Sequence, residues 1–384
     1  MPKQPYVPPT IEIIPNETER KGNAHLKLPF GLCKKYGIHL PENATPRDAW
    51  NALKGIGINP GEEYDKFAEQ QSDNETNKPN SSDDNTNNSG EIDKLFSDNN
   101  RFSYSGTFTK DYAKKQFDAG EQYHRDIITK AMQETGVTYR HGKNDECYIQ
   151  WGQVYLTVDD SYGQEGNSYA EGEVFYHESY HAIDGGYAPR FGTLLSNTYT
   201  NDQGETLYDI LKKEKRAFKS EHISDVKAAR QKDVDAYLVS KGVVTAESIQ
   251  NTEKTWKEQR DRLDSTIVWE ERKAITESEE FKKANIANNT LKAQRMVYAK
   301  YLNKKYGFMS DILSQWNESM GMGHSMSYWR KDKYNASCEF FAEVGAHGAT
   351  NKEALDVVRK YFPRSVEMAE KIINDIKIGK IKAR

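Results

Sequence analysis

The chain has 384 residues, 54 of them Lys or Arg and 58 Asp or Glu, for a formal net charge of −4. That length supports two or three domains and a sizeable core, and so balanced a charge argues against nucleic acid or an anionic membrane surface as partner. No apolar run approaches the roughly 20 residues of a membrane span, and the start, Met1 to Pro9, lacks the apolar stretch of a secretory signal.

The expectation is therefore a chain that is cytoplasmic when made and needs some other route if it leaves the cell. Cys33, Cys147 and Cys338 are odd in number and far apart, which argues against a disulfide framework. Residues 1–20 are Pro-rich and predicted to be extended. Residues 1–70 as a whole read as a small N-terminal helical module. Thr45-Pro46-Arg47-Asp48-Ala49-Trp50 looks like a helix start, with Thr45 as N-cap, Pro46 at the first helical position, and Trp50 and Leu53 on the apolar side. No catalytic grouping falls here, so the reading is a docking module across residues 24–71, with a plain N-terminal extension as the alternative. Residues 71–100 are rich in Asn, Asp and Ser, bury too little apolar surface to offset ordering entropy, and read as a disordered linker.

Beyond the linker, 101–384 reads as one domain. Lys110 to Thr135 is predicted as a helix ending near Gly136. Glu146 to Asp159 alternates Ile149, Trp151, Val154, Leu156 and Val158 with more polar residues around Gly152, the pattern of a strand or hairpin. Such a hairpin is either purely structural or an edge on which an extended peptide adds a strand.

A Gly- and Ser-containing loop then leads into Val174-Phe175-Tyr176-His177-Glu178-Ser179-Tyr180-His181-Ala182-Ile183-Asp184-Gly185. Its centre fits H-E-x-x-H. On a helix, His177 and His181 lie on one face and can grip one metal ion, with Glu178 placed to act on a water beside it. Two imidazoles suit zinc and leave positions for a third ligand and a reactive water. Asp184 shares the histidine stripe and is expected to accept an N–H from a ligating imidazole; otherwise it is a carboxylate awkwardly close to a helix C-terminus.

Residues 205–305 are highly charged and helix-prone, and read as an insertion able to wall or cover a cleft. A Gly-rich approach, Gly321-Met322-Gly323, brings His324, followed by the aromatic pair Tyr328-Trp329, to a loop suited to lining a cleft. Asn335 is predicted to cap a helix carrying Glu339 and Glu343 at i and i+4, two carboxylates that repel unless a cation lies between them or donors surround them. Alone they would read as surface glutamates; beside an H-E-x-x-H, Glu339 reads as the third ligand. Two amphipathic helices broken at Pro363 finish the chain, packed through Leu355, Val358, Val366, Ala369, Ile372, Ile373 and Ile376.

Three blocks, in order, resemble the metallopeptidase domain of the anthrax lethal factor family, zinc peptidases of the H-E-x-x-H plus distant Glu type. They are His177-Glu178-Ser179-Tyr180-His181-Ala182-Ile183-Asp184, Ser327-Tyr328 and Glu339-Phe340-Phe341-Ala342-Glu343. The resemblance covers about a third of the chain, in pieces. It implies an α+β, mainly helical, zincin-like fold, with a small strand region ahead of the H-E-x-x-H helix. It also implies one zinc ion on His177, His181 and Glu339, and Glu178 as general base. Its transition-state tyrosine maps to Tyr328, with Tyr334 a rival because extra residues separate Tyr328 from Glu339. Leu28 to Trp50, Ser310-Asp311-Ile312 and Gly323 to Trp329 also resemble segments of proteins encoded among phage head genes.

The expected activity is zinc-dependent hydrolysis of a polypeptide. Glu178 is the base, and Tyr328, Tyr334 or His324 steadies the oxyanion. The protein would then be phage-associated or a delivered toxin, with residues 24–71 docking to virion proteins. The alternative is a virion structural or interaction protein whose zinc site is not catalytic.

Overall fold

The computed structural model describes Cys33, residues 36–40, 46–56, 58, 89–142, 147–150 and 152–383. The Pro-rich start, the proposed Thr45 cap, the Trp50 side chain, Trp151 and residues 71–88 of the expected linker lie outside the described residues. In chain order the elements are α1 (Pro46–Gly55), α2 (Ser89–Ser97), β1 (Phe102–Ser103), α3 (Lys110–Asp118), α4 (Gln122–Thr135), β2 (Thr138–His141), β3 (Tyr148–Gln150), β4 (Gln153–Leu156) and α5 (Glu173–Gly186). They continue with α6 (Leu195–Thr198), α7 (Leu207–Glu221), α8 (Ile223–Ser240), α9 (Ala246–Ser265), α10 (Trp269–Glu277), α11 (Glu279–Ala299) and α12 (Asn303–Ser314). The last four are α13 (Met326–Lys331), α14 (Asn335–Thr350), α15 (Lys352–Tyr361) and α16 (Pro363–Lys377). The fold is α+β and mainly helical.

The chain forms two compact units. One comprises Met1–Pro79 with Gln250–Val297; the other comprises Asn80–Ile249 with Tyr298–Arg384. This division differs from the expected one in two places. The helical insertion is split, with its second half grouped with the N-terminal segment. The expected linker also gives way to helix at Ser89, because Ile92, Leu95 and Phe96 supply an apolar stripe inside an otherwise polar stretch. Phe96 is fully buried and stacks on Phe102 at 4.6 Å.

In the first unit, α1 buries Ala49, Ala52 and Leu53, spaced at i, i+3 and i+4. Beside it, Gly55 approaches Ala293 and Met296 of α11.

The second unit carries a four-stranded sheet in the order β1-β2-β4-β3. β1 and β4 run parallel to β2, and β3 is antiparallel to β4. The expected hairpin is β3–β4, turned by Gly152, whose φ of +73° suits a residue without a side chain. The expected single helix over 110–135 is two, α3 and α4. The break falls at Gly120, where a Cβ would lie 2.2 Å from the Tyr176 ring. Tyr139 of β2 stacks between Phe102 at 4.9 Å and Phe175 of α5 at 5.0 Å, and its hydroxyl bonds Ser179 at 2.9 Å. Sheet and helix are thus joined by a continuous aromatic stack.

On its other side α5 meets α14. The two come close because Gly345 has no side chain: a Cβ there would lie 2.2 Å from the Tyr180 ring. Behind α14, α15 and α16 bury Leu355, Val358, Val366, Ala369, Ile372, Ile373 and Ile376, as their spacing predicts.

Candidate metal centre

The centre is built on α5 and α14. The N-terminus of α5 is pinned by Gly172 (φ +79°), whose N–H donates to Gln116 Oε1 at 2.9 Å and whose missing Cβ makes room for the Gln116 carbonyl. From there, Phe175, Tyr176, Ser179, Tyr180 and Ile183 are committed to the core, and the remaining face carries His177 and His181. On α14, Phe340, Phe341 and Val344 are buried, and Glu339 is turned towards the histidines.

Three ligand atoms converge. His177 Nε2 and His181 Nε2 are 3.0 Å apart, and each lies 3.3 Å from Glu339 Oε2. Atoms about 2.0–2.1 Å from a tetrahedral ion are about 3.3 Å from one another, so this triangle is one face of such a tetrahedron. Glu339 Oε2 is buried without a hydrogen-bond partner, the mark of an oxygen shaped for a cation. The group could hold a metal ion, and among the described residues no other cluster of this kind occurs.

The acidic surroundings point the same way. Burial disfavours charge on His177, yet Glu343, Glu339 and Glu178 hold its pKa up at about 10. Burial likewise pushes the Glu339 carboxyl up, but His181 and His177 hold it well below the usual range. Where protons are the only cations at hand, the cluster takes them up; a divalent ion meets the same demand. Burial raises the Glu178 carboxyl, with His177 and His181 opposing.

Around the triangle, several side chains fix the ligands. Glu343 Oε1 faces His177 Nδ1 at 3.6 Å, while Glu343 Oε2 lies 2.9 Å from His347 Nδ1. His347 is buried, its Nε2 3.5 Å from Glu173 Oε1. Asp184 does not accept directly from a histidine. Its carboxylate takes the Ser196 N–H at 2.7 Å and the Ser196 hydroxyl at 2.8 Å. Between it and His181 sits Cys338, with Sγ 3.2 Å from His181 Nδ1 and a hydrogen bond to Asp184. Burial keeps Cys338 a thiol. The expected carboxylate–imidazole contact is therefore relayed through sulfur, because the Cys338 side chain stands between Asp184 and His181.

Sequence reasoning missed Cys338, His347 and Glu173. The signal was positional: Cys338 adjoins Glu339, Glu173 is one turn before His177, and His347 is one turn after Glu343.

The two tyrosines separate cleanly. Tyr328, on the short α13, donates its hydroxyl to Glu339 Oε1. Its ring stacks on His324 at 4.2 Å, and His324 Nδ1 lies 3.0 Å from Asp311 Oδ1. Tyr334 instead packs against Tyr208 at 5.0 Å, with Lys333 over its ring. It forms the N-terminal boundary of α14, so Asn335 is the first helical residue rather than the cap; its side-chain N–H donates to the Tyr328 carbonyl at 2.8 Å.

A cleft of about 420 Å³ opens over His177 and Glu178, walled by Tyr169, Asp311, His324 and Glu343. The cleft thus brings a carboxyl group, Glu178, and a histidine, His324, to the His177 side of the triangle, with the Tyr328 ring stacked on His324. Comparison with protein-family models, curated proteins and solved structures finds no match.

Proposed function

We propose that the chain is a zinc-dependent endopeptidase of the H-E-x-x-H plus distant Glu type that the anthrax lethal factor family represents, with a zincin-like catalytic unit. The observation that carries this reading is the closure of His177, His181 and Glu339 into a triangle of tetrahedral dimensions, next to a cleft that His177 and Glu178 line. Two imidazoles and one carboxylate are a donor set suited to zinc. Among the described residues no fourth His, Cys, Asp or Glu joins the group, which favours a catalytic over a closed structural site.

Bound there, zinc supplies a water of lowered pKa and polarises a carbonyl oxygen. Glu178, beside His177 on the cleft side, accepts the proton of the attacking water and returns it to the leaving amine. His324, at the cleft, and Tyr328, stacked on it, are the donors for the developing oxyanion, with Asp311 holding the His324 ring. Tyr334, engaged with Tyr208, takes no part. Strand β3 lies at a sheet edge and offers the substrate a backbone to pair with. A phage-associated or delivered setting, with residues 24–71 docking to virion proteins, belongs to the same proposal.

The test pairs metal content with proteolysis. Wild type and Glu178→Gln should each carry one zinc per chain, and only wild type should cut a mixed peptide library. Wild-type cleavage rates in Glu178→Gln, or a wild-type chain that takes up no zinc, would sink the reading.

A further inference from the structure

Outside the metal cleft, the surface of α7 carries a groove of about 240 Å³ lined by Lys212, Lys215, Arg216, Lys219 and Lys333. Five cations line this one hollow on a chain whose net charge is −4. None of them has a carboxylate partner among the described residues. The nearby acids are engaged elsewhere: Asp209 accepts from Thr206, Glu214 from Ser365 and the Arg364 N–H, Glu205 pairs with Lys213 and Arg364, and Asp332, beside Lys333 in sequence, accepts the Tyr334 N–H. Lys212 and Arg216, like Lys215 and Lys219, are like charges at i and i+4, an arrangement that weakens a helix.

The floor is aromatic. Lys212 lies over the Tyr208 ring at 5.5 Å, and Lys215 over Trp316 at 5.9 Å. Lys215 is half-buried, and desolvation alone lowers its pKa to about 8, as expected of an ammonium group with no anion beside it. The groove also reaches Ala336, one turn before the ligand Glu339 on α14.

We propose that this groove receives an acidic segment of the polypeptide substrate, seating it while another part of the same chain enters the metal cleft. The carboxylates of such a segment would complete five ion pairs that the fold leaves open, and they would pull the substrate in by long-range attraction. The small volume and the overall negative charge favour a short acidic peptide over nucleic acid. The substrate part of the proposal rests on the peptidase reading; the binding part does not.

The binding experiment uses the full-length Glu178→Gln chain loaded with zinc, so that nothing is cleaved, and fluorescent hexaglutamate followed by anisotropy. Binding is expected at low salt and should weaken several-fold as ionic strength rises from about 0.05 to about 0.2 M. The triple exchange Lys212→Glu, Arg216→Glu and Lys219→Glu, all at exposed positions, should lower affinity at least about tenfold with zinc content unchanged. No binding to the parent, or equal binding to the triple variant, overturns the groove assignment. So does tighter binding of an oligothymidylate of equal charge, which would assign the groove to nucleic acid.

With Glu178 restored, peptides bearing an acidic run should be cleaved at least about fivefold faster, in kcat/KM, than neutral counterparts. The triple variant should lose that preference. Cleavage without preference overturns the groove proposal alone, whereas no cleavage of any peptide overturns the peptidase reading and, with it, the substrate part of this one.

Discussion

Cys338 occupies a place usually given to a carboxylate or a backbone carbonyl. A ligating imidazole is held in orientation by what its second nitrogen bonds, and for His181 that partner is the Cys338 sulfur, itself tied to Asp184. Cys338→Ala should leave His181 Nδ1 and one side of Asp184 without a partner in a buried site. Metal affinity, read by competition with a chromophoric chelator, is expected to fall about 10- to 100-fold. Cys338→Ser keeps a donor and acceptor at the same place and should recover most of the loss. Equal affinity in Cys338→Ala and wild type would show that Asp184 and Cys338 serve packing alone. His177 has a parallel arrangement through Glu343, His347 and Glu173. The two histidines are thus steadied from the same helix, α14, by different chemistry.

At the scale of elements, the centre depends on how closely α5 and α14 approach. That approach is set by Gly345 against the Tyr180 ring. Tyr180 cannot retreat, because its hydroxyl bonds His124 Nδ1 at 2.6 Å and its ring packs edge-on against Phe341 at 5.9 Å. Gly345→Ala should therefore push the helices apart, costing about 1–3 kcal/mol in urea unfolding, the usual range for overpacking. Because His177 and His181 are on one helix and Glu339 on the other, the same variant should lose zinc more readily on dialysis against a chelator. A variant as stable and as zinc-retentive as wild type would mean that the spacing is set elsewhere. Both helices could be read from spacing, as could the β3–β4 hairpin and the Pro363 break. The start of α14 could not: Asn335 looked like a cap, but its side chain is drawn to the Tyr328 carbonyl.

For the molecule as a whole, His124 makes stability depend on pH. It is buried on α4, and burial lowers its pKa from 6.5 to about 4. The unfolded chain takes up the proton as pH falls through about 6.5, while the folded chain refuses it until about 4. Between those values the unfolded state holds more protons, so the contribution is intact above about 6.5 and is lost towards pH 4. The full difference is on the order of 3 kcal/mol. Denaturant titrations at pH 7 and pH 4.5 should show wild type losing more stability than His124→Gln; identical losses would remove His124 from the account.

How much of this was legible depends on the range of the interaction. Helical periodicity alone puts His177 and His181 on one face and stacks Glu339 above Glu343, because a residue's neighbours at i+4 are dictated by 3.6 residues per turn. Composition alone marks the mainly helical character and the charged insertion. It misjudged Ser89–Ser97, where three apolar residues outweigh a polar average, and it gave no hint that Gln250–Val297 would group with the N-terminal segment. Only tertiary packing decides that Glu339 reaches both histidines, that Tyr328 rather than Tyr334 meets Glu339, and that Cys338 stands between His181 and Asp184. Cys338 and His181 are 157 residues apart in sequence. Which atoms meet across that span is set by the seating of Gly345 on Tyr180 and of Tyr334 on Tyr208, contacts that no local spacing contains.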